Sequence, residues 1–191
     1  MGTVLLIILA IAAVIFIYGV LIYNGLVRLK HAVSKAWANI DVLLKQRHDE
    51  LPKLVETCKQ YMRYEQQTLA RVMQARAAVS QAREQGDMGA LGAAEGALRR
   101  GLGNLFAVAE AYPELKSDET FRHLESRITG LENSIADRRE FYNESVNNNN
   151  VRIEQFPDLV VARLLGFGPA QLLEFAGEEK ADVDLGRLFG S

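Results

Sequence analysis

The sequence predicts an all-α protein: a single N-terminal transmembrane helix followed by an antiparallel bundle of three or four long helices. Three observations predict it. Residues Thr3 to Tyr23 carry no formal charge and are mostly Leu, Ile, Val and Ala. Beyond them, apolar residues recur at alternating steps of 3 and 4, the spacing of helices with one apolar face. Clear turn signals fall at only a few places, Gln85–Gly89, Tyr112–Lys116 and Pro157.

The first element is the anchor, residues 1–24. A helix over Thr3–Tyr23 is roughly 31 Å long at about 1.5 Å per residue, enough for a hydrocarbon core of about 30 Å. Ala10-Ile11-Ala12 superficially resembles a signal-peptide cleavage site. No Lys or Arg precedes the apolar run, however, and the run continues well past Ala12, which favours an uncleaved anchor. No Cys stands directly after the run to carry a lipid. Arg28, Lys30 and Lys35 precede the first acid, Asp41. The positive-inside bias therefore puts the body in the cytoplasm and the N-terminus outside. Tyr18 and Tyr23 suit the membrane interface, and Tyr23 suits equally the first packed turn of the bundle.

The body is expected over residues 25–167. Its first helix, about Gly25 to His48, carries a heptad seam of Leu26, Leu29, Val33, Ala36, Ile40 and Leu43, widened by Trp37, the chain's single Trp. Arg28, Lys30, Lys35, Lys45 and Arg47 take other positions. Pro52 then interrupts, and Asp49 is placed to cap a new helix with Pro52 in its first turn. The second stripe reads Leu51, Val55, Cys58, Met62, Glu65, Leu69, Val72, Arg76 and Val79. No Gly sits near Pro52, so a kinked continuous helix and a sharp reversal both fit.

A third helix is expected from about Ala90 to Ala111. Gly92, Gly96, Gly101 and Gly103 within it each cost about 1 kcal/mol relative to Ala. Their repetition suggests a close approach or a soft helix. No strand precedes Gly101-Leu102-Gly103, so it does not read as a phosphate loop. Ser117 is expected to cap the last long helix, striped by Phe121, Leu124, Ile128, Leu131, Ile135, Tyr142, Val146 and Ile153, and ended by Pro157. Asn147–Asn150 breaks that stripe, either as a solvated turn or as a buried Asn fixing register. The apolar run Leu159–Phe167 is able to cover the bundle end or touch the bilayer or a partner. Residues 168–191 read as a flexible acidic tail, in which Leu185, Leu188 and Phe189 leave room for a docking motif.

Several ordered blocks resemble the LemA family of bacterial membrane-anchored proteins. They begin with Tyr23-Asn24-x-Leu26-Val27, Ala36-Trp37-x-x-Ile40-Asp41-Val42-x-Leu44-Lys45-x-Arg47 and Pro52-x-Leu54-Val55. Tyr112-Pro113-x-Leu115, Phe121-x-x-Leu124, Glu132, Tyr142-Asn143-x-x-Val146, Asn150-x-x-Ile153-x-x-Phe156-Pro157 and Gly166-Phe167 follow. The resemblance runs from about Tyr23 to Phe167. It implies a single-span protein of the bacterial inner membrane with a helical bundle and no established enzymatic activity. It supplies no catalytic residues.

The residues agree with that implication. The single Cys, Cys58, makes no internal disulfide and falls on an apolar stripe, as a small core filler does. None of His31, His48 and His123 sits in a Glu-x-x-His pair, the arrangement of di-iron bundles. Glu119 and His123 are four apart but read as a solvated face. There is no Cys pair for zinc and no Gly-x-Ser-x-Gly. Catalytic, cofactor and metal residues are therefore expected to be absent, and a net charge of -2 gives no argument for nucleic acid. The expected function is a non-enzymatic, membrane-anchored interaction or scaffold protein that forms homo-oligomers. Its expected seam is Leu26, Leu29, Val33, Trp37, Ile40 and Leu43. The alternative is an accessory or adaptor subunit of another membrane protein, such as a quality-control protease.

Overall fold

The computed structural model describes residues 1–175. Among them every regular element is helical: α1 (Gly2–Tyr61), α2 (Gln66–Gln85), α3 (Met88–Ala109), α4 (Pro113–Ser117), α5 (Glu119–Glu154) and α6 (Asp158–Leu165).

The 60-residue α1 passes through Pro52 without a break. Proline has no N–H, so the His48 carbonyl one turn earlier loses its helical partner. Arg76 Nε on α2 donates to that carbonyl at 2.9 Å and replaces the missing bond. The chain turns instead at Met62–Glu65, four residues containing neither Gly nor Pro. The expectation of one stripe running from Leu51 to Val79 is corrected here. Met62 and Leu69 are both buried, so the apolar period keeps its phase on either side of the turn and hides it. Arg83 pairs with Asp41 at 2.5 Å and Arg76 with His48, so residues on either side of Met62 meet in reverse order. The helix α2 therefore runs antiparallel to α1.

Gly86, at φ 68°, closes α2 in the left-handed conformation, where its amide and that of Asp87 bond back to Arg83 and Ala82. Asp87 then caps α3 by accepting from the Ala90 amide at 2.9 Å. The helices α2 and α3 pack side by side. The expected turn at Tyr112–Lys116 is the short α4. The cap of α5 is Asp118 rather than the expected Ser117: Asp118 accepts from the Phe121 amide at 2.8 Å, while the Ser117 hydroxyl donates back to the Glu114 carbonyl.

The chain divides into two compact units. One is Met1–Asn39 with Glu140–Leu172, the other Ile40–Arg139 with the segment that begins at Leu173. In the second, Tyr61 meets Asp118 and Arg47 meets Glu132, so α5 runs antiparallel to α1. Its core is the facing stripes of α1, α2, α3 and α5, with Leu51, Leu54, Cys58, Val72, Leu105 and Ile128 all fully buried. In the first unit, Ile22, Leu26, Ile153 and Ala162 form a small apolar cluster under α6.

Asn147–Asn150 is helical, not a loosened turn. Residues 168–175, counted with the tail in the sequence, carry no helix but are held in place by the contacts described below. The rest of the acidic tail, with Leu185, Leu188 and Phe189, lies outside the described residues.

Candidate functional site

The segment over Val4–Leu21 has its large apolar side chains exposed, Phe16 at 73%. It belongs to the one helix among the described residues that is long and apolar enough to cross a membrane. The same helix continues into the body. Arg28, Lys30 and Lys35 follow the apolar segment and are all exposed.

The expected seam divides. Leu26 and Ile40 are fully buried, whereas Leu29, Val33, Trp37 and Leu43 are half-buried. The fully buried residue of the next turn is Leu44, with Val42 left 55% exposed. Trp37 meets Tyr142 of α5 edge-to-face, the ring centroids 5.9 Å apart. Tyr23 meets Phe167 in the same way at 5.9 Å, and is also exposed at the end of the apolar segment. It thus takes the packed first turn that was one of the two places expected for it.

A buried ion network lies in the other unit, where the sequence shows only a charge beside an apolar stripe. Arg47, 1% exposed, reaches Glu95 of α3 and Glu132 of α5, each at 2.5 Å. Burial alone would lower the Arg47 pKa, but the two carboxylates outweigh it and raise it. The Glu95 carboxyl is pushed up by burial, with Arg47 pulling it back only in part. The Nε of Arg47 is buried without a hydrogen-bond partner among the described residues. Two of these residues, Arg47 and Glu132, are ones on which the family resemblance rests. Glu95 gave no signal, because a Glu between stripe positions ordinarily marks a solvated face.

Asn149 and Asn150 hold the coil after α6. Asn150 accepts from the Ala170 amide and donates to the Ala170 carbonyl, both at 2.9 Å. Asn149, 4% exposed, donates to Asn150 and to the Gly168 carbonyl. Tyr142 donates to the Gln171 carbonyl at 2.9 Å. In the other unit, Leu173 is fully buried, Phe175 lies under Arg139, and the Glu174 carbonyl runs against α3 at Gly92. A Cβ at Gly92 would fall 1.8 Å from that oxygen, so the glycine is required there, by a coil rather than by another helix.

Between α1 and α2 lies a groove of about 720 Å³, lined mainly by Pro52, Val55, Met62, Leu69 and Met73, with Glu56, Lys59 and Arg63 among its polar residues. Nothing in it converges as a nucleophile, base and oxyanion donor would. No group of three or more His, Cys, Asp and Glu fit for a metal occurs among the described residues. Burial pushes the Cys58 thiol up to about 12, helped by Glu125, so it is an inert core residue.

Magnetosome protein MamQ 2 of Paramagnetospirillum magneticum is 26% identical over 194 residues, covering 89% of this chain and 71% of that protein. MamQ of Magnetospirillum gryphiswaldense is 26% identical over 168 residues, covering 76% of this chain and 62% of its own length. The LemA family matches residues 36–185. That match takes in the Trp37 contact, the Arg47 network and the Asn149–Asn150 clamp. With its long membrane-anchoring helix and helical body, this chain belongs to the LemA family.

Proposed function

We propose that the protein is a non-enzymatic, membrane-anchored scaffold that associates with further copies of itself, with its body on the cytoplasmic side of a bacterial inner membrane. The observation that carries this reading is the continuity of α1, which enters the body with no linker after the apolar segment. Copies confined to one bilayer then present the same faces to each other at raised effective concentration. The half-buried residues of the seam in the first unit, Leu29, Val33 and Trp37, are the surface proposed between chains. The MamQ relatives are named for a magnetosome rather than for a reaction, which supports the non-enzymatic part.

The test is the mass of the full-length protein in detergent and in nanodiscs. Val33→Asp is expected to give smaller particles with the helical content kept, because Val33 lies on this surface and is only half-buried. A wild-type protein that is monomeric in both settings would sink self-association. Wild-type assemblies that keep their size in the variant would sink this surface. The orientation rests on Arg28, Lys30 and Lys35. Alkaline phosphatase fused after Ser191 is expected to be inactive, and periplasmic activity would reverse the assignment.

The groove favours a second reading, an adaptor for another membrane protein. Its Met62 and Met73 side chains are flexible and suit the apolar face of a partner helix. A photo-crosslinker at Met73 would then capture one other protein in membranes, and the purified protein alone would be monomeric.

A further inference from the structure

We propose that α6, with the bend before it, is a second membrane-contacting element, seated in the headgroup region of the bilayer where α1 leaves it. This inference rests on the apolar segment of α1 crossing that bilayer. Two sets of side chains point to it. On one side of α6, Ala162 is buried with Ile22, Leu26 and Ile153, and Val161 and Phe167 pack against that cluster. Ile22 and Tyr23 end the apolar segment, five residues before the first charge, Arg28, so α6 lies at the level of the membrane exit. On the other side, Val160 and Leu164 are 49% and 78% exposed, while Phe156 in the bend and Leu165 in the last turn are 83% and 57% exposed. Val160 and Leu164 are four apart on the helix and share a face.

Charge is arranged in the same sense. Arg163 is exposed beside Leu164, while Asp158, the one acid of α6, is buried and tied to Arg152 at 2.5 Å. Glu154, at the end of α5, is the nearest exposed acid in sequence. Val160 and Leu164 exposed on one face, with Phe156 and Leu165 exposed at its two ends, are costly in water, but suit the boundary between headgroups and acyl chains, with the exposed Arg163 placed to meet anionic lipid. A bilayer is favoured over a protein partner because the face adjoins residues that already end in the membrane. A second contact of this kind holds α1 against rotation about its own axis, and so fixes which face of the first unit looks along the membrane.

The test uses full-length protein in vesicles of phosphatidylethanolamine and phosphatidylglycerol. Single cysteines replace Leu164, Ala38 and Phe16, each labelled with an environment-sensitive fluorophore. Cys58 is buried and its thiol is held protonated, so the introduced cysteine takes the label. The Leu164→Cys label is expected to emit at shorter wavelength, to be quenched by lipid-borne nitroxide at headgroup depth, and to resist iodide. Ala38 is exposed and lies 15 residues beyond Tyr23, about 22 Å along the helix, so the Ala38→Cys label is expected to respond to iodide alone. A Leu164→Cys label quenched by iodide as readily as the Ala38→Cys label would overturn the proposal. A label protected from both quenchers would overturn it too, since a protein would then cover the face. The Phe16→Cys label reports the span separately: iodide quenching there would overturn the transmembrane reading itself. Should Leu164→Cys lower the melting temperature, Val160→Cys carries the same readings.

Discussion

Arg47 is the residue whose removal should be felt most. Taking it away leaves Glu95, 1% exposed, as an unpaired carboxylate among apolar side chains. Breaking one partner out of a buried pair typically costs about 3–5 kcal/mol. Arg47→Met should therefore lower the denaturant midpoint strongly, and adding Glu95→Leu should recover most of the loss, because an apolar pair needs no desolvation. A double variant no more stable than Arg47→Met alone would show that the network acts through something other than charge burial. Asp118 makes a pH-dependent contribution of the opposite kind. Its bond from the Phe121 amide, with that from Tyr61, holds its carboxyl below the ordinary 3.8. A lowered folded pKa means that the stabilisation is present above the unfolded value and is lost as the pH falls through the folded one. Asp118→Asn, which keeps a capping oxygen, should flatten the acid limb of the melting curve below about pH 4 and change little near neutrality.

Among the elements, α1 and α5 meet in the first unit through the Trp37–Tyr142 pair as well as through Leu26 and Ile153, and the coil after α6 is held by α5. Trp37 is only half-buried, so Trp37→Ala should cost less than a core Trp, about 1–3 kcal/mol including the edge-to-face contact with Tyr142. An unchanged melting temperature would mean that Trp37 serves a surface outside the chain. Asn150 matches both backbone groups of Ala170, so Asn150→Ala should free that stretch. The Ala170 amide should then exchange about 10-fold or more faster, the equivalent of losing at least about 1.4 kcal/mol of local protection. Global stability should fall less. These two elements also show what periodicity conveys. Seven-residue patterns mark the long helices, but the reversal at Met62–Glu65 leaves no trace in them because it inserts no breaker and keeps the stripe in phase. The cap moved from Ser117 to Asp118 because the two neighbours are equally good cap residues, and only the backbone path chooses between them.

At the scale of the whole molecule, the apolar segment and the helical body answer to different solvents. The exposed Ile, Leu, Val and Phe side chains of the first two dozen residues are tolerable only out of water. Full-length protein should thus remain with the membrane fraction after alkaline carbonate washing, and release into the wash would contradict an anchor. If α6 also seats in the headgroups, replacing Leu164 and Leu165 with Ser should leave that retention intact while increasing the iodide accessibility of a label at position 160.

The sequence by itself determined the all-α class, the charge-free segment, the long amphipathic helices and the membership in the LemA family. All of these are local or linear properties: hydrocarbon length, a step of 3 or 4, an ordered set of motif residues. The tertiary structure alone decided whether Pro52 reverses the chain, since the answer depends on an Arg76 that lies 24 residues away and takes over the orphaned His48 carbonyl. It alone joined Arg47 to Glu95 and Glu132, because a charge beside an apolar stripe reads the same whether water or a buried carboxylate will meet it. It also turned an Asn run that breaks the stripe into a clamp, since an amide that is poor for an isolated helix becomes useful once a neighbouring backbone offers both a donor and an acceptor.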